Sequence, residues 1–227
     1  MAPIVKYSII TFLYAILVLD FSNVLANHSN LEKKKSTGHV FLGFGGGVVN
    51  WSGTTAGFDD NGALDGKSEG GNATGLIQLL LGYNYYRQNW LLGGELFGKY
   101  IPGTSKLTGA GLVFVKWRGE YTYGINFKFG HTVNLHTILY IFLGAEHLNL
   151  RFNAHGDDPG EQISFSKNSF SVAPGIGIQA YITQYWLIDA RYSWIFFPRI
   201  IKIYDDGDKI TSNLSRGFFI ISIIRQF

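Results

Sequence analysis

The chain has 227 residues, among them 18 Phe, 13 Tyr, 5 Trp and 29 Gly, with no Cys and a formal net charge of +3. Charged residues make up only 15% and aromatics 16%, which excludes the aromatic-poor, highly charged composition of a disordered chain. Zero Cys excludes disulfides, thiolate metal sites and cysteine nucleophiles and fits an oxidising compartment, while so small a net charge argues against a nucleic-acid partner.

Residues 1–26 read as a signal peptide. Lys6 supplies a positive start, Tyr7 to Leu19 is almost wholly apolar, and Val24-Leu25-Ala26 places small residues at −3 and −1 of a cleavage site. Asp20 interrupts the run before it reaches spanning length, which separates this reading from its alternative, a retained anchor. A polar leader, 27–37, carries Lys33, Lys34 and Lys35 in a row. The remainder, 38–227, is expected to be one barrel domain.

Eight segments of the barrel domain alternate with the period of a β-strand. They are Gly38 to Trp51, Thr74 to Tyr86, Trp90 to Tyr100, Glu120 to Gly130, Leu135 to Phe152, about Phe165 to Thr183, Trp186 to Phe196 and Leu214 to Phe227. In the fourth, Tyr121, Tyr123, Ile125, Phe127 and Phe129 oppose Glu120, Thr122, Asn126 and Lys128. In the seventh, Trp186, Ile188, Tyr192, Trp194 and Phe196 oppose Asp189, Arg191 and Ser193. The interior of an eight-stranded barrel is just wide enough to be filled by side chains. Small and charged residues suit that interior better than stacked rings, so the apolar face is expected outward, against lipid. A soluble lipocalin-like barrel is the rival. Trp51, Trp90, Tyr100, Trp117, Tyr185 and Trp186 would then form the interfacial girdles.

Connection lengths alternate too. Arg87 to Asn89, His131 to Asn134 and Thr183 to Tyr185 are short, whereas Ser52 to Gly71, Pro102 to about Gly109, Asn153 to Ser164 and about Tyr204 to Asn213 are long and polar. Short periplasmic turns and long extracellular loops are the asymmetry of outer-membrane barrels. Most of the 16 carboxylates sit in those loops: Asp59, Asp60, Asp65 and Glu69, then Asp157, Asp158 and Glu161, then Asp205, Asp206 and Asp208. They could hold divalent cations against lipopolysaccharide phosphates or face a basic partner, or be merely solvated. No spacing matches a calcium loop, and no metal or cofactor is expected.

On the polar strand faces, Glu95, Lys99, Glu120, Lys128, His147, Arg151, Asp189 and Arg191 form a candidate lumen charge network, with Gln179 beside them. Charges in a narrow lumen need partners, so a salt-bridged plug is expected, with a conducting pore as the alternative.

The first strand reads Val40-Phe41-Leu42-Gly43-Phe44-Gly45-Gly46-Gly47, the second ends near Gly82-Tyr83-Asn84-Tyr85, and the chain closes on Phe227. With the signal peptide, these features resemble the opacity-protein and porin-like surface antigens of Gram-negative bacteria, across essentially the whole mature chain. The resemblance implies an outer-membrane location, contact with lipid and lipopolysaccharide, a possible host-surface ligand, and recognition of Phe227 by the barrel-assembly machinery. Arg225 departs from the family pattern, which has an aromatic or apolar residue there.

Catalytic signals are weak. Gly66-Lys67-Ser68 lacks the earlier Gly of a phosphate loop, since position 61 is Asn61, and Gly43 to Gly47 lacks a dinucleotide-site context. His147 with Glu146, or His155 with Asp157, are the pairs a lipid A-modifying hydrolase would have to use. The reading is therefore an eight-stranded antiparallel transmembrane barrel, non-catalytic, acting as a surface antigen or adhesin through its loops. A small channel and a lipid A-modifying enzyme are the alternatives.

Overall fold

The computed structural model describes residues 37–58, 61–110, 114–118, 121–134, 136–155, 162–197, 200–203 and 209–227. The signal-peptide and leader assignments lie outside them, as do Glu120, Asp59, Asp60, Asp157, Asp158, Asp205, Asp206 and Asp208. The described elements are β1 (Thr37–Phe58), β2 (Leu64–Arg87), β3 (Trp90–Tyr100), β4 (Thr104–Ala110), β5 (Phe114–Arg118), β6 (Tyr121–Asn134), β7 (Thr137–His155), β8 (Gln162–Tyr181), β9 (Trp186–Phe196), β10 (Ile200–Ile203) and β11 (Lys209–Gln226).

Three of the barrel strands are built in two pieces. β3 and β6 pair over Tyr100↔Tyr121, and the same two walls continue as β4 and β5 over Thr104↔Arg118. β9 and β10 both pair with β11. Neighbours in sequence are neighbours in space, all antiparallel, and β1 closes the ring on β11 from Phe41↔Gln226 to Phe58↔Lys209. The result is a closed, eight-stranded, up-and-down barrel. Closure is what a lipid environment demands, because a sheet edge in hydrocarbon would leave N–H and C=O groups unpaired.

Side-chain orientation follows the alternation. On β6, Tyr121, Tyr123, Phe127 and Phe129 are exposed, while Thr122, Asn126 and Lys128 are buried. Val40, Leu42 and Phe44 on β1, Leu92 and Leu96 on β3, Leu139, Ile141 and Leu143 on β7, and Ile221 and Ile223 on β11 continue the outward apolar belt. Trp90, Tyr185, Trp186 and Phe227 crowd its lower rim, next to the short turns, and Tyr121, Tyr123 and Phe170 its upper one. Trp51, expected in a girdle, is instead buried in the interior at 1% exposure. Its parity with Phe41 and Val49 along an unbroken β1 ladder dictates that inward direction.

Several segments that resemble loops are strands. The β1–β2 ladder runs past the belt through Gly53↔Gly70 and Gly57↔Gly66 to Phe58↔Leu64, so Asp65 and Glu69 belong to β2 rather than to a loop. Likewise β7 continues to His155 and pairs there with Gln162. A transmembrane β-strand needs only about 9–11 residues; β1 has 22 and β2 has 24. The surplus forms hairpins that stand above the membrane.

Two seams are interrupted. The β2–β3 ladder ends at Ile77↔Tyr100 and resumes with β4 at Glu69↔Thr108, the bend between them held by the Thr74 hydroxyl donating to the Pro102 carbonyl at 3.0 Å. The β8–β9 ladder runs from Tyr181↔Leu187 only as far as Gly175↔Ser193. At the next residue stands Pro174, which cannot donate to a neighbouring strand. Above it, among the described residues, β8 is laddered to β7 alone, and β9 and β10 to β11 alone.

On the opposite rim, β2 and β3 are joined through Gln88 and Asn89, and Gln88 takes a φ of 54°. A side chain in this left-handed region costs about 1 kcal/mol relative to Gly. Gln88→Gly should therefore raise the unfolding free energy by about that much, read from urea titrations in lipid vesicles.

Candidate functional site

The interior is stacked in layers, beginning at the short-turn rim. There the Tyr86 hydroxyl accepts from Gln226 Nε2 at 2.8 Å and from Asn84 Nδ2 at 3.2 Å. Leu91, Ile138, Tyr140 and Phe142 pack around it. These rings lie inside the barrel, which is thus more aromatic within than its composition alone implies.

The next layer is ionic. Glu95 on β3 is the hub, reached by Lys128 Nζ of β6 at 2.9 Å, by Asn126 Nδ2 at 2.8 Å and by the Arg191 guanidinium of β9. Arg191 Nε also donates to Asp189 Oδ2 at 2.7 Å, and the Tyr140 hydroxyl donates to Asp189 Oδ1 at 2.6 Å. Around the ring, the wall carrying Glu95 and the wall carrying Arg191 are four strands apart in either direction. Their contact crosses the full diameter. Lys128 Nζ rests 4.3 Å from the centre of the Phe41 ring, which fits because the facing position is Gly82, where a Cβ would come 2.5 Å from that ring.

Above this, Lys99 Nζ donates to Glu146 Oε2 at 2.6 Å and sits 4.4 Å and 4.2 Å from the Phe97 and Phe218 ring centres. The top layer is an apolar cap of Val49, Trp51, Leu76, Ile101, Leu148, Leu150, Ile195, Phe197, Leu214 and Phe218. Within it lies Arg216, 0% exposed.

The expected network is therefore placed in two groups. Glu95, Lys99, Lys128, Asp189 and Arg191 converge in the lumen, with Gln179 buried near them. His147 and Arg151 do not join them: both face outward. His147 stacks on Tyr123 with ring centroids 4.8 Å apart and meets Phe170 at 4.9 Å, and Arg151 is exposed. Adjacent strand residues point to opposite faces, so Glu146 is the lumen residue and cannot meet His147. That removes the Glu146–His147 pair as a catalytic candidate. Asp157, the proposed partner of His155, lies outside the described residues. No cluster of three or more His, Asp or Glu able to hold a metal occurs among the described residues. Arg225 faces outward at the lower rim, its guanidinium 5.1 Å from the Phe227 ring and 5.7 Å from the Trp186 ring, a place where a long cationic side chain can reach water.

Glu146 and Arg216 are the charges that sequence reasoning missed. Each has an available signal: Glu146 shares parity with Tyr140 and Phe142, and Arg216 with Phe218, Ile220 and Ile224.

No protein-family model and no curated protein sequence matches the chain. Among solved structures it is similar to the outer membrane protein OprG from Pseudomonas aeruginosa, with a TM-score of 0.52 and 12% identity over 83% of this chain and 96% of that one. It also matches Neisserial surface protein A, with a TM-score of 0.42 and 13% identity over 86% and 100% of the two chains. A third match is Ail, the attachment invasion locus protein of Yersinia pestis, with a TM-score of 0.33 and 18% identity over 78% and 97%. The likeness to OprG, the closed ring and the outward apolar belt together make this chain an eight-stranded transmembrane barrel of the bacterial outer-membrane type. That is the fold the opacity-protein resemblance implies.

Removing one partner from a buried ion pair costs roughly 3–5 kcal/mol because the other charge stays buried. Glu95→Gln should lose stability on that scale, since it strips the hub from both Lys128 and Arg191. Arg151→Ala, on the water-facing side, should stay within about 0.5 kcal/mol of the parent in the same urea titration.

Proposed function

We propose that the protein is a non-enzymatic surface protein of the outer membrane, a surface antigen or adhesin, that binds through its extracellular hairpins. In this reading residues 1–26 are removed on export, Phe227 is read by the barrel-assembly machinery, and the belt contacts lipid and lipopolysaccharide. The observation that carries it is the Arg191–Glu95 contact across the whole lumen. A barrel tied shut through its centre has no water column to conduct through, which leaves the hairpins above the membrane as the binding surface. Their length supports the same reading, as does the polar outward face of β7 and β8, where Asn149 Nδ2 donates to Asn168 Oδ1 at 2.8 Å near exposed Arg151. The acidic residues Asp59, Asp60, Asp157, Asp158, Asp205, Asp206 and Asp208 would lie at the hairpin tips, where a basic partner or bridging divalent cations could engage them.

Protease treatment of intact cells tests this reading together with planar-bilayer recordings. Cuts are expected between 58 and 64, 155 and 162, and 203 and 209. The turns at 88–89 and 182–185 should survive, and purified protein should show no stepwise conductance. Cleavage at those short turns, or regular conductance steps from the folded protein, would refute it.

A further inference from the structure

The barrel interior holds one cation too many. Among the described residues it buries Lys99, Lys128, Arg191 and Arg216 against only Glu95, Glu146 and Asp189. The first three cations are each in an ion pair. Arg216 is the remainder. None of its Nε, Nη1 and Nη2 atoms has a hydrogen-bond partner, and no described carboxylate lies within ion-pair distance of it.

Its surroundings explain how it is held, but the carboxylate whose charge acts on it, Glu146, is already bonded to Lys99. The guanidinium carbon is 3.2 Å from the centre of the Trp51 ring and 5.3 Å from that of Phe197. Aromatic faces stabilise a cation from above and below. They leave the in-plane fork of five N–H donors untouched, and that fork is the part of Arg that matches a carboxylate with two parallel bonds. An unpaired charge in an apolar layer is costly, so an open fork among apolar side chains is an unfinished pair that an outside anion can complete.

The layer is also next to a stretch of wall where ladder pairing stops. Arg216 is the register partner of Ile195 on β9, and β9 is laddered to β8 only up to Ser193. The outward residues flanking the unpaired stretch, Val172 and Phe196, are 58% and 65% exposed and belong to the apolar belt. A hydrocarbon chain lying in the cap would therefore pass from apolar side chains to bilayer without crossing water.

We propose that Arg216 is the head-group site for a single-chain amphiphile bearing a carboxylate. The carboxylate pairs with the guanidinium fork, and the chain runs through the cap toward the gap between β8 and β9. This goes beyond the surface-binding reading and does not depend on it.

Trp51, stacked on the guanidinium, supplies an optical reporter. Folded protein in neutral-detergent micelles is titrated with dodecanoate and, at the same detergent concentration, with dodecanol and acetate, following tryptophan emission. Dodecanoate should give a saturable change at least about tenfold tighter than dodecanol, and acetate should give none. Arg216→Gln should bring dodecanoate down to the dodecanol level, and Arg216→Lys, which keeps the charge but loses the fork, should fall between. Heat-shifted electrophoretic mobility checks that each variant is folded; should Arg216→Gln fail to fold, the acid-to-alcohol ratio in the parent and its change in Arg216→Lys decide. Equal affinity for acid and alcohol in the parent, or dodecanoate binding unchanged by the substitutions, would overturn the proposal. A conductance result against the surface-protein reading would leave these titrations unaffected.

Discussion

A β-strand alternates its side chains strictly, and without a bulge it cannot change which parity faces in. The solvent outside this barrel does change, from hydrocarbon to water, part-way along each long strand. β7 shows the consequence. Its ladder to β8 has no register shift from Thr137 to His155. Low on the strand, Leu139, Ile141 and Leu143 face lipid while Glu146 faces the lumen; higher up, Asn149 and Arg151 face outward while Leu148 and Leu150 face in. The geometry is constant and the polarity inverts. The molecule is consequently a membrane barrel with a charged interior below and, above, a barrel packed like a soluble one, with the apolar cap as its core.

That inversion decides what could be read from the residues alone. β3, β6 and β9 lie largely within the belt, so apolar-out, polar-in holds throughout and their orientation and inward charges are legible. On β7 the same rule puts His147 and Arg151 inside, because it treats every polar residue as a lumen residue. Parity carried up from Ile141 would have predicted the opposite. The hairpin stems were hidden for a related reason. Gly53, Thr54, Thr55 and Ala56 sit in a ladder whose outer face meets water, so they lack the apolar alternation that marks a membrane strand and look like loop. The β1–β2 pairing that makes them strands is a long-range property. Arg216 was overlooked because an arginine among Leu214, Phe218 and Ile220 resembles a loop-side charge until the ring closes around it.

The ionic layers matter more for specifying the barrel than for holding it. A buried pair is often no more stabilising than apolar residues of the same volume, because desolvation offsets attraction. Its effect on alternatives is larger. A one-residue slip of β3 or β6 would turn Glu95 or Lys128 into hydrocarbon, where an ionised side chain is expensive even by lenient scales. Arg191 and Glu95, tied across the diameter, make the same demand on two walls at once. The charged layers thus set which face is inside, a choice that the apolar belt and apolar cap, pulling in opposite directions along one strand, could not set unaided.

The break between β8 and β9 obeys the same logic of environment. An unpaired strand edge deep in hydrocarbon would leave backbone groups unsatisfied. Here pairing is complete from Tyr181 to Gly175, beside outward Ile176 and Ile188, and stops at Pro174. Just above, the outward residues of β8 change from apolar Val172 and Phe170 to exposed Asn168 and Ser166. The edge therefore begins inside the upper belt and leaves it beyond Phe170, so that only its first residues lie beside lipid and the rest meet head groups and water. Proline at its first position removes the donor that would lie deepest. A break in pairing one strand away from an unpaired guanidinium, close to the height where the outer solvent changes, follows from the same boundary that inverts β7.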